Sequence, residues 1–185
     1  MKILHLAPIK CSFEDEESLE DEELYGRQKS PEGLSASVTS LAEAQFNNGF
    51  KVGVISSKDS SRPVKEGIFW DSIGDKSIFE LVFNNPLHKI LSEFGIFEIL
   101  NIHDIYNLRQ ILFLLLSLKE EIKIYISPRG CFSEVALSRS KFKKWFFLNL
   151  LLRPLLKYIE GFIALNKNEK EQIQKVFKGS KVIII

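Results

Sequence analysis

The chain has 185 residues, 45% hydrophobic and 26% charged, with a formal net charge of +1. That is about one domain's worth of chain, long enough to bury a core. Cys11 and Cys131 are far apart and lack metal-ligand spacing, which argues against a disulfide scaffold or a zinc site and for a reducing compartment.

In chain order, Ile3–Leu6 reads as a first strand, within an apolar start too short for a signal peptide and broken at Pro8. Residues 10–31 read as an acidic flexible loop. Val38, Leu41, Ala42, Gln45 and Phe46 follow helical spacing from about Ser35, and Asn48-Gly49 ends that helix, with Gly49 suited to the left-handed position. Val52–Ile55 is a second strand. After a polar loop, Ile68–Trp70 reads as a short strand and Phe79–Phe83 as strand or loop. Leu87–Phe94 is helical, with Pro86 placed for a first turn.

Ile99–Ile102 is a strand, Leu108–Leu118 a helix, and Ile122–Ile126 a strand followed by the turn Ser127-Pro128-Arg129-Gly130. Ser140–Ile159 is mostly helical, and Pro154 should kink or divide it. Phe162–Leu165 is a strand, Lys167–Phe177 a polar helix, and Lys181–Ile185 a final strand. No run reaches the roughly 18–20 apolar residues that a membrane-spanning helix needs. Short continuous apolar strands alternating with helices predict an α/β fold: a Rossmann-like parallel sheet with helices on both faces, in a single domain over residues 1–185.

Ligands of open parallel sheets sit at the carboxyl ends of the strands. The candidates there are Gly33, Ser35 and Ser37; His103 and Asp104; Arg129 and Gly130; and Asn166 and Glu169. Gly33 at a helix start either lets a phosphate approach the backbone or serves turn geometry. His103 is either a donor to a sugar hydroxyl or phosphate, or a half-buried ring satisfied by backbone. Arg129 suits phosphate or carboxylate, or a structural salt bridge. Glu169 reads as a helix-start residue rather than a catalyst. The dinucleotide fingerprint, the Walker pattern and the common catalytic motifs are missing, and the sequence shows no obvious general base or metal cluster.

Taken together, these segments resemble a known family. Lys2-Ile3-Leu4-His5-Leu6, Gly33-Leu34-Ser35-Ala36-Ser37-Val38 through Gln45, Gly49–Val54, Ile102-His103-Asp104-Ile105-Tyr106, Ser127-Pro128-Arg129-Gly130, and Ile163-Ala164-Leu165-Asn166 with Glu169 are similar to segments of one domain. It is the N-terminal domain of retaining GT-B glycosyltransferases of the family 4 type, which act on lipid-linked sugars, lipopolysaccharide and capsule. Glu32-Gly33 stands where the family often has Gly-Gly, Arg129-Gly130 where many members have His-Gly, and Asp104 replaces the usual glycine. The histidine role at position 129 is therefore not carried over.

The resemblance implies a retaining hexosyltransferase that uses a sugar nucleotide as co-substrate and needs no metal or other cofactor. This chain would be the acceptor-side half, inactive by itself, with the catalytic glutamate and the donor site in a C-terminal domain. Lys181–Ile185 would then be the last strand before the hinge to that domain. Expected substrate-binding residues are Gly33, Ser35, His103, Arg129, Gly130 and Asn166. Alternatives are a noncatalytic sugar- or phosphate-binding or partner-docking module, and a nicotinamide-dependent enzyme, against which the missing glycine fingerprint argues.

Charge is segregated along the chain. Residues 14–23 hold eight acids in ten, which reads as a solvated loop, and residues 139–157 hold six bases and no acid. The basic stretch is either a core helix with a solvated face, or a peripheral membrane-docking element carried by Lys141, Lys143, Lys144 and Trp145. Nucleic acid is not an expected partner. The expected location is cytoplasmic, with possible docking at the inner face of the membrane.

Overall fold

The central strands are short apolar runs because they bury both faces in a parallel sheet, where alternation gives way to continuous hydrophobicity, whereas the two edge strands are only partly covered. The computed structural model describes residues 1–9, 32–58, 65–74, 76–138 and 141–185. The predicted acidic loop, with Cys11, lies outside the described residues. The strands are β1 (Lys2–Ala7), β2 (Lys51–Ser56), β3 (Phe69–Ser72), β4 (Ile99–His103), β5 (Lys123–Ser127), β6 (Gly161–Ala164) and β7 (Val182–Ile184). All pair in parallel, in the order β3-β2-β1-β4-β5-β6-β7. This is the α/β Rossmann-like sheet that the sequence pattern predicts. From β1 the chain steps outward to β3, returns to the far side of β1 at β4, and runs outward again to β7. The direction of winding reverses between β1 and β4, and this is the switch point.

The helices are α1 (Glu32–Asn47), α2 (Ile78–Phe83), α3 (Pro86–Glu93), α4 (Leu108–Ser117), α5 (Glu134–Ser138), α6 (Lys141–Phe146), α7 (Arg153–Leu155) and α8 (Lys167–Val176). Strand alternation divides the core in two. Val52 and Val54 of β2 pack with Val38 and Ala42 of α1 on one face. Leu4, Leu6, Leu100, Ile102, Ile124, Ile126 and Phe162 point to the other, where α2–α4, α7 and α8 bury Leu81, Ile90, Phe113, Leu155 and Ile173. Gly53, the one interruption in the apolar run of β2, is explained by this packing. A Cβ there would meet Leu4 Cδ1 at 2.8 Å, with Phe69 and Phe94 just beyond.

Three expectations change. Residues 79–83 are helical rather than strand or loop. Ser77 caps α2 by accepting from the Glu80 N–H at 3.1 Å, and Glu80 accepts from the Ser77 N–H at 2.6 Å. This capping box stood in the sequence as Ser-x-x-Glu and went unread. Helix α1 begins at Glu32, before the expected start near Ser35, so Gly33 is helical and keeps a negative φ. Turn geometry is therefore not what Gly33 supplies, whereas Gly49 does take the left-handed conformation at φ +83°.

Pro154 neither stops the long helix nor simply kinks it. The chain widens into a π-helical turn over Phe147–Leu152 and then re-enters α7, with Pro154 in the first turn. Proline lacks an N–H and crowds the carbonyl one turn back, and the wider turn relieves both.

Candidate anion-binding cavity at the switch point

The carboxyl ends of β1, β4, β5 and β6 converge on the N-terminal turn of α1. Between them lies a cleft of about 370 Å³, lined by Gly33, Leu34 and Ser37 of α1, by Asp104 after β4, by Arg129 and Cys131 after β5, and by Leu165 after β6. A methyl group added at Gly33 would meet no atom of the described residues within 4 Å.

Arg129 supplies the charge. Its backbone lies at φ +52°, followed by Gly130 at φ +82°. The left-handed region costs a non-glycine residue about 1–2 kcal/mol, and such residues cluster at ligand sites. Its Nη1 donates to Ser37 Oγ at 3.0 Å and its Nε donates to His103 Nδ1 at 3.3 Å. Among the described residues it makes no ion pair. Burial pulls its pKa down, with the Glu169 carboxylate opposing. The guanidinium is nonetheless too basic to lose its charge near neutral pH. A half-buried cation that makes no ion pair among the described residues, beside the first turn of a sixteen-residue helix, favours an anionic ligand.

Behind Arg129 the sheet carries a row of buried polar side chains. His103 and His5 are fully buried. His103 Nε2 lies 3.0 Å from His5 Nδ1, and His5 Nε2 lies 2.7 Å from Gln45 Oε1. Burial is the main cause that lowers both imidazoles, His5 to about 4 and His103 well below its ordinary value. Gln110 Nε2 donates to the His103 carbonyl at 2.9 Å.

A second clamp fixes the turn from the other side. The buried Glu169 accepts from the Gly130 N–H at 2.6 Å and from the Leu165 N–H at 2.7 Å, tying the end of β5 to the end of β6. Asn166 caps α8 by accepting from the Glu169 N–H at 2.9 Å.

The expected substrate-binding set therefore separates. Gly33 and Arg129 line the cleft, whereas Ser35, His103, Gly130 and Asn166 are not among its lining residues. The open question about His103 resolves as a buried ring, satisfied by side chains rather than by backbone. Glu169 is the helix-start residue expected, with the added task of holding the Arg129 turn. His5 and Gln45 carried no local signal. They join the site only because parallel register sets β1 beside β4 and α1 over β1.

Asp104 adopts φ +65°, a conformation that favours glycine. Its side chain compensates by accepting from the backbone N–H groups of Ile105 and Tyr106 and from the Cys131 thiol at 3.0 Å. Burial, reinforced by Asp104, pushes the Cys131 thiol pKa up, which makes it a poor nucleophile. Burial likewise raises Tyr106. Among the described residues no three His, Cys, Asp or Glu side chains gather as a metal site. The charge and hydrogen-bond donors of this arrangement suit an anion, and the one carboxylate in the described lining, Asp104, is engaged through Oδ1 with Ile105, Tyr106 and Cys131.

Of the membrane-docking set, Trp145 is 62% exposed on the surface of α6, where Phe142, outside that set, is 79% exposed. Lys144 differs from expectation. Its Nζ turns inward to the Ala136 carbonyl and stands 5.0 Å from the centre of the Tyr106 ring. The side chains of Lys141 and Lys143 lie outside the described part of the structure. No helix among the described residues is long and apolar enough to cross a membrane.

The sequence matches no protein-family model and no curated protein at a significant level. What is established of its class is the α/β Rossmann-like fold.

Proposed function

We propose that this chain is the acceptor-binding half of a retaining glycosyltransferase that transfers a sugar from a sugar nucleotide to a glycan or lipid-linked acceptor. The observation that carries the reading is the cleft at the switch point, lined by the Arg129 guanidinium, which makes no ion pair among the described residues, and by Gly33 at the start of α1. Arg129 and the N-terminal turn of α1 would hold a phosphate of the acceptor, and Leu34 and Leu165 would flank its apolar part. The ordered resemblance of the strand-end segments to GT-B N-terminal domains supports the same reading. The reacting groups and most of the donor site would belong to a second domain.

The test is calorimetry of the chain with a short-chain polyprenyl phosphate and, separately, with sugar nucleotides and NAD. Binding of the polyprenyl phosphate that is lost in Arg129→Ala and weakened in Gly33→Ala is the expected result. Tight sugar-nucleotide binding with no acceptor binding would overturn the acceptor-side assignment. Binding of a free sugar phosphate alone, regardless of a lipid tail, would favour a noncatalytic sugar- or phosphate-binding module.

A peripheral membrane contact is part of the proposal. Phe142, Trp145, Phe146 and Leu150 are all exposed on consecutive turns, within a stretch whose sequence carries bases and no acid. Aromatic side chains flanked by cations suit an anionic bilayer surface, each base near the surface contributing about 1 kcal/mol. Co-sedimentation with anionic vesicles should fall in a Phe142→Ser, Trp145→Ser variant and in Lys141→Gln, Lys143→Gln. Unchanged sedimentation would leave the helix a solvated one.

A further inference from the structure

We propose that Gln45, His5 and His103 are positioning residues, forming a hydrogen-bond strut of a single polarity that fixes the Arg129 guanidinium in the cleft. The inference deepens the proposed function, since it rests on Arg129 as the anchor for an anion. Counting donors settles the polarity. Arg129 Nε can only donate, so His103 Nδ1 must carry a lone pair. His103 then keeps its one proton on Nε2 and gives it to His5 Nδ1. His5 in turn keeps its proton on Nε2 and gives it to Gln45 Oε1, which accepts. Four groups from α1, β1, β4 and the turn after β5 share three bonds, and only one pair of tautomers allows all three. Both rings must be neutral with the proton on Nε2.

The strut explains why two fully buried histidines lie side by side behind a cation with no carboxylate between them. The charged group facing both rings is Arg129. Asp104, the next residue in the chain, turns Oδ1 toward Ile105, Tyr106 and Cys131, and Glu169 is held by the Gly130 and Leu165 N–H groups. Neither carboxylate makes a hydrogen bond to either imidazole. A proton added to either ring would set donor against donor and break the chain at Arg129.

Gln45→Glu tests this directly. At pH 8 the new carboxylate would still accept from His5 Nε2–H. On acidification it would draw a second proton onto His5 Nδ1, push the His103 proton to Nδ1 and release Arg129. Long-range ¹⁵N NMR of the wild type at pH 6–8 should show Nε2–H tautomers on both buried rings and an Arg129 Nε–H protected from exchange.

In Gln45→Glu, lowering the pH from 8 to 6 should lower the protection of that proton, measured against wild type at the same pH, about tenfold or more. Pyrophosphate affinity relative to wild type at each pH should fall about tenfold, the worth of one charge-assisted hydrogen bond. Nδ1–H on either wild-type ring, or a variant that tracks wild type at both pH values, would overturn the strut. If wild type binds no pyrophosphate but the tautomers and exchange behave as stated, the strut stands and the anion-site reading falls. Should Gln45→Glu fail to fold, Gln45→Ala takes its place, and undiminished Arg129 Nε–H protection there would count against the strut.

Discussion

Acidification is the perturbation whose effect can be worked most directly from the core of this protein. In the unfolded chain His5 and His103 would titrate near the ordinary value of 6.5, whereas burial lowers His5 to about 4 in the folded state and His103 well below 6.5. Below pH 6.5 the unfolded chain therefore binds protons that the folded chain refuses. Stability from the neutral pair is intact above 6.5 and lost as pH falls toward the folded values. At pH 5 the folded His5 ring remains largely neutral, so its share of the loss is set mainly by protonation of the unfolded chain. It comes to about 2 kcal/mol for His5 between pH 7 and pH 5, and His103, lowered in the same direction, adds a loss of the same sign.

Carboxylates held below their ordinary 4.5 by hydrogen bonds, Glu80, Glu98 and Glu160, add losses chiefly below that value, so pH 5 separates the two effects. Urea unfolding at the two pH values is the assay. With a slope of about 2 kcal/mol per molar, the midpoint should drop by about 1 M or more. A drop under about 0.5 M, or two buried rings that titrate near 6.5 by NMR, would refute the reasoning.

Other outcomes follow from the packing. Gly161→Ala places a Cβ 2.9 Å from the Lys181 carbonyl oxygen, a backbone atom that cannot step aside, whereas Gly33→Ala meets nothing within 4 Å among the described residues. The first should cost about 1–3 kcal/mol by chemical denaturation, and the second, in a helix, should leave stability unchanged or raise it by up to about 1 kcal/mol while it weakens anion binding in the cleft. Glu169→Gln can no longer accept on both sides from the Gly130 and Leu165 N–H groups, and should lose about 1–3 kcal/mol together with Arg129-dependent anion binding. Asn166→Ala removes the cap of α8 and should cost about 1 kcal/mol, read from the thermal midpoint, with the cleft unaltered.

Much of this protein could be read before folding was considered. Strand and helix runs announce themselves through their own periodicity, which is a local property, and so does the left-handed Gly49. Even α2, which the apolar pattern does not reveal, carries its signal locally in Ser77 and Glu80. Alternating strands and helices are enough to give a parallel Rossmann-like sheet, and strand ends are enough to point at Gly33 and Arg129, which line the cleft at the switch point.

Chain order could not reveal the partners of those residues. His5 and His103 lie 98 positions apart and meet only because β1 pairs with β4 in parallel register, with Leu4 beside Leu100 and Leu6 beside Ile102. Arg129 reaches Ser37 across 92 positions, and Glu169 reaches Gly130 across 39. Burial then changes the chemistry of what meets, since a histidine that reads as a ligand donor becomes a neutral member of a buried strut once water is excluded. The sequence determined which segments fold and how each ends. The tertiary structure alone decided that His103 stands behind the cleft rather than in its lining, that Lys144 turns inward, and that Arg129 lines a cleft on Ser37 and His103, because these depend on which distant surfaces pack together.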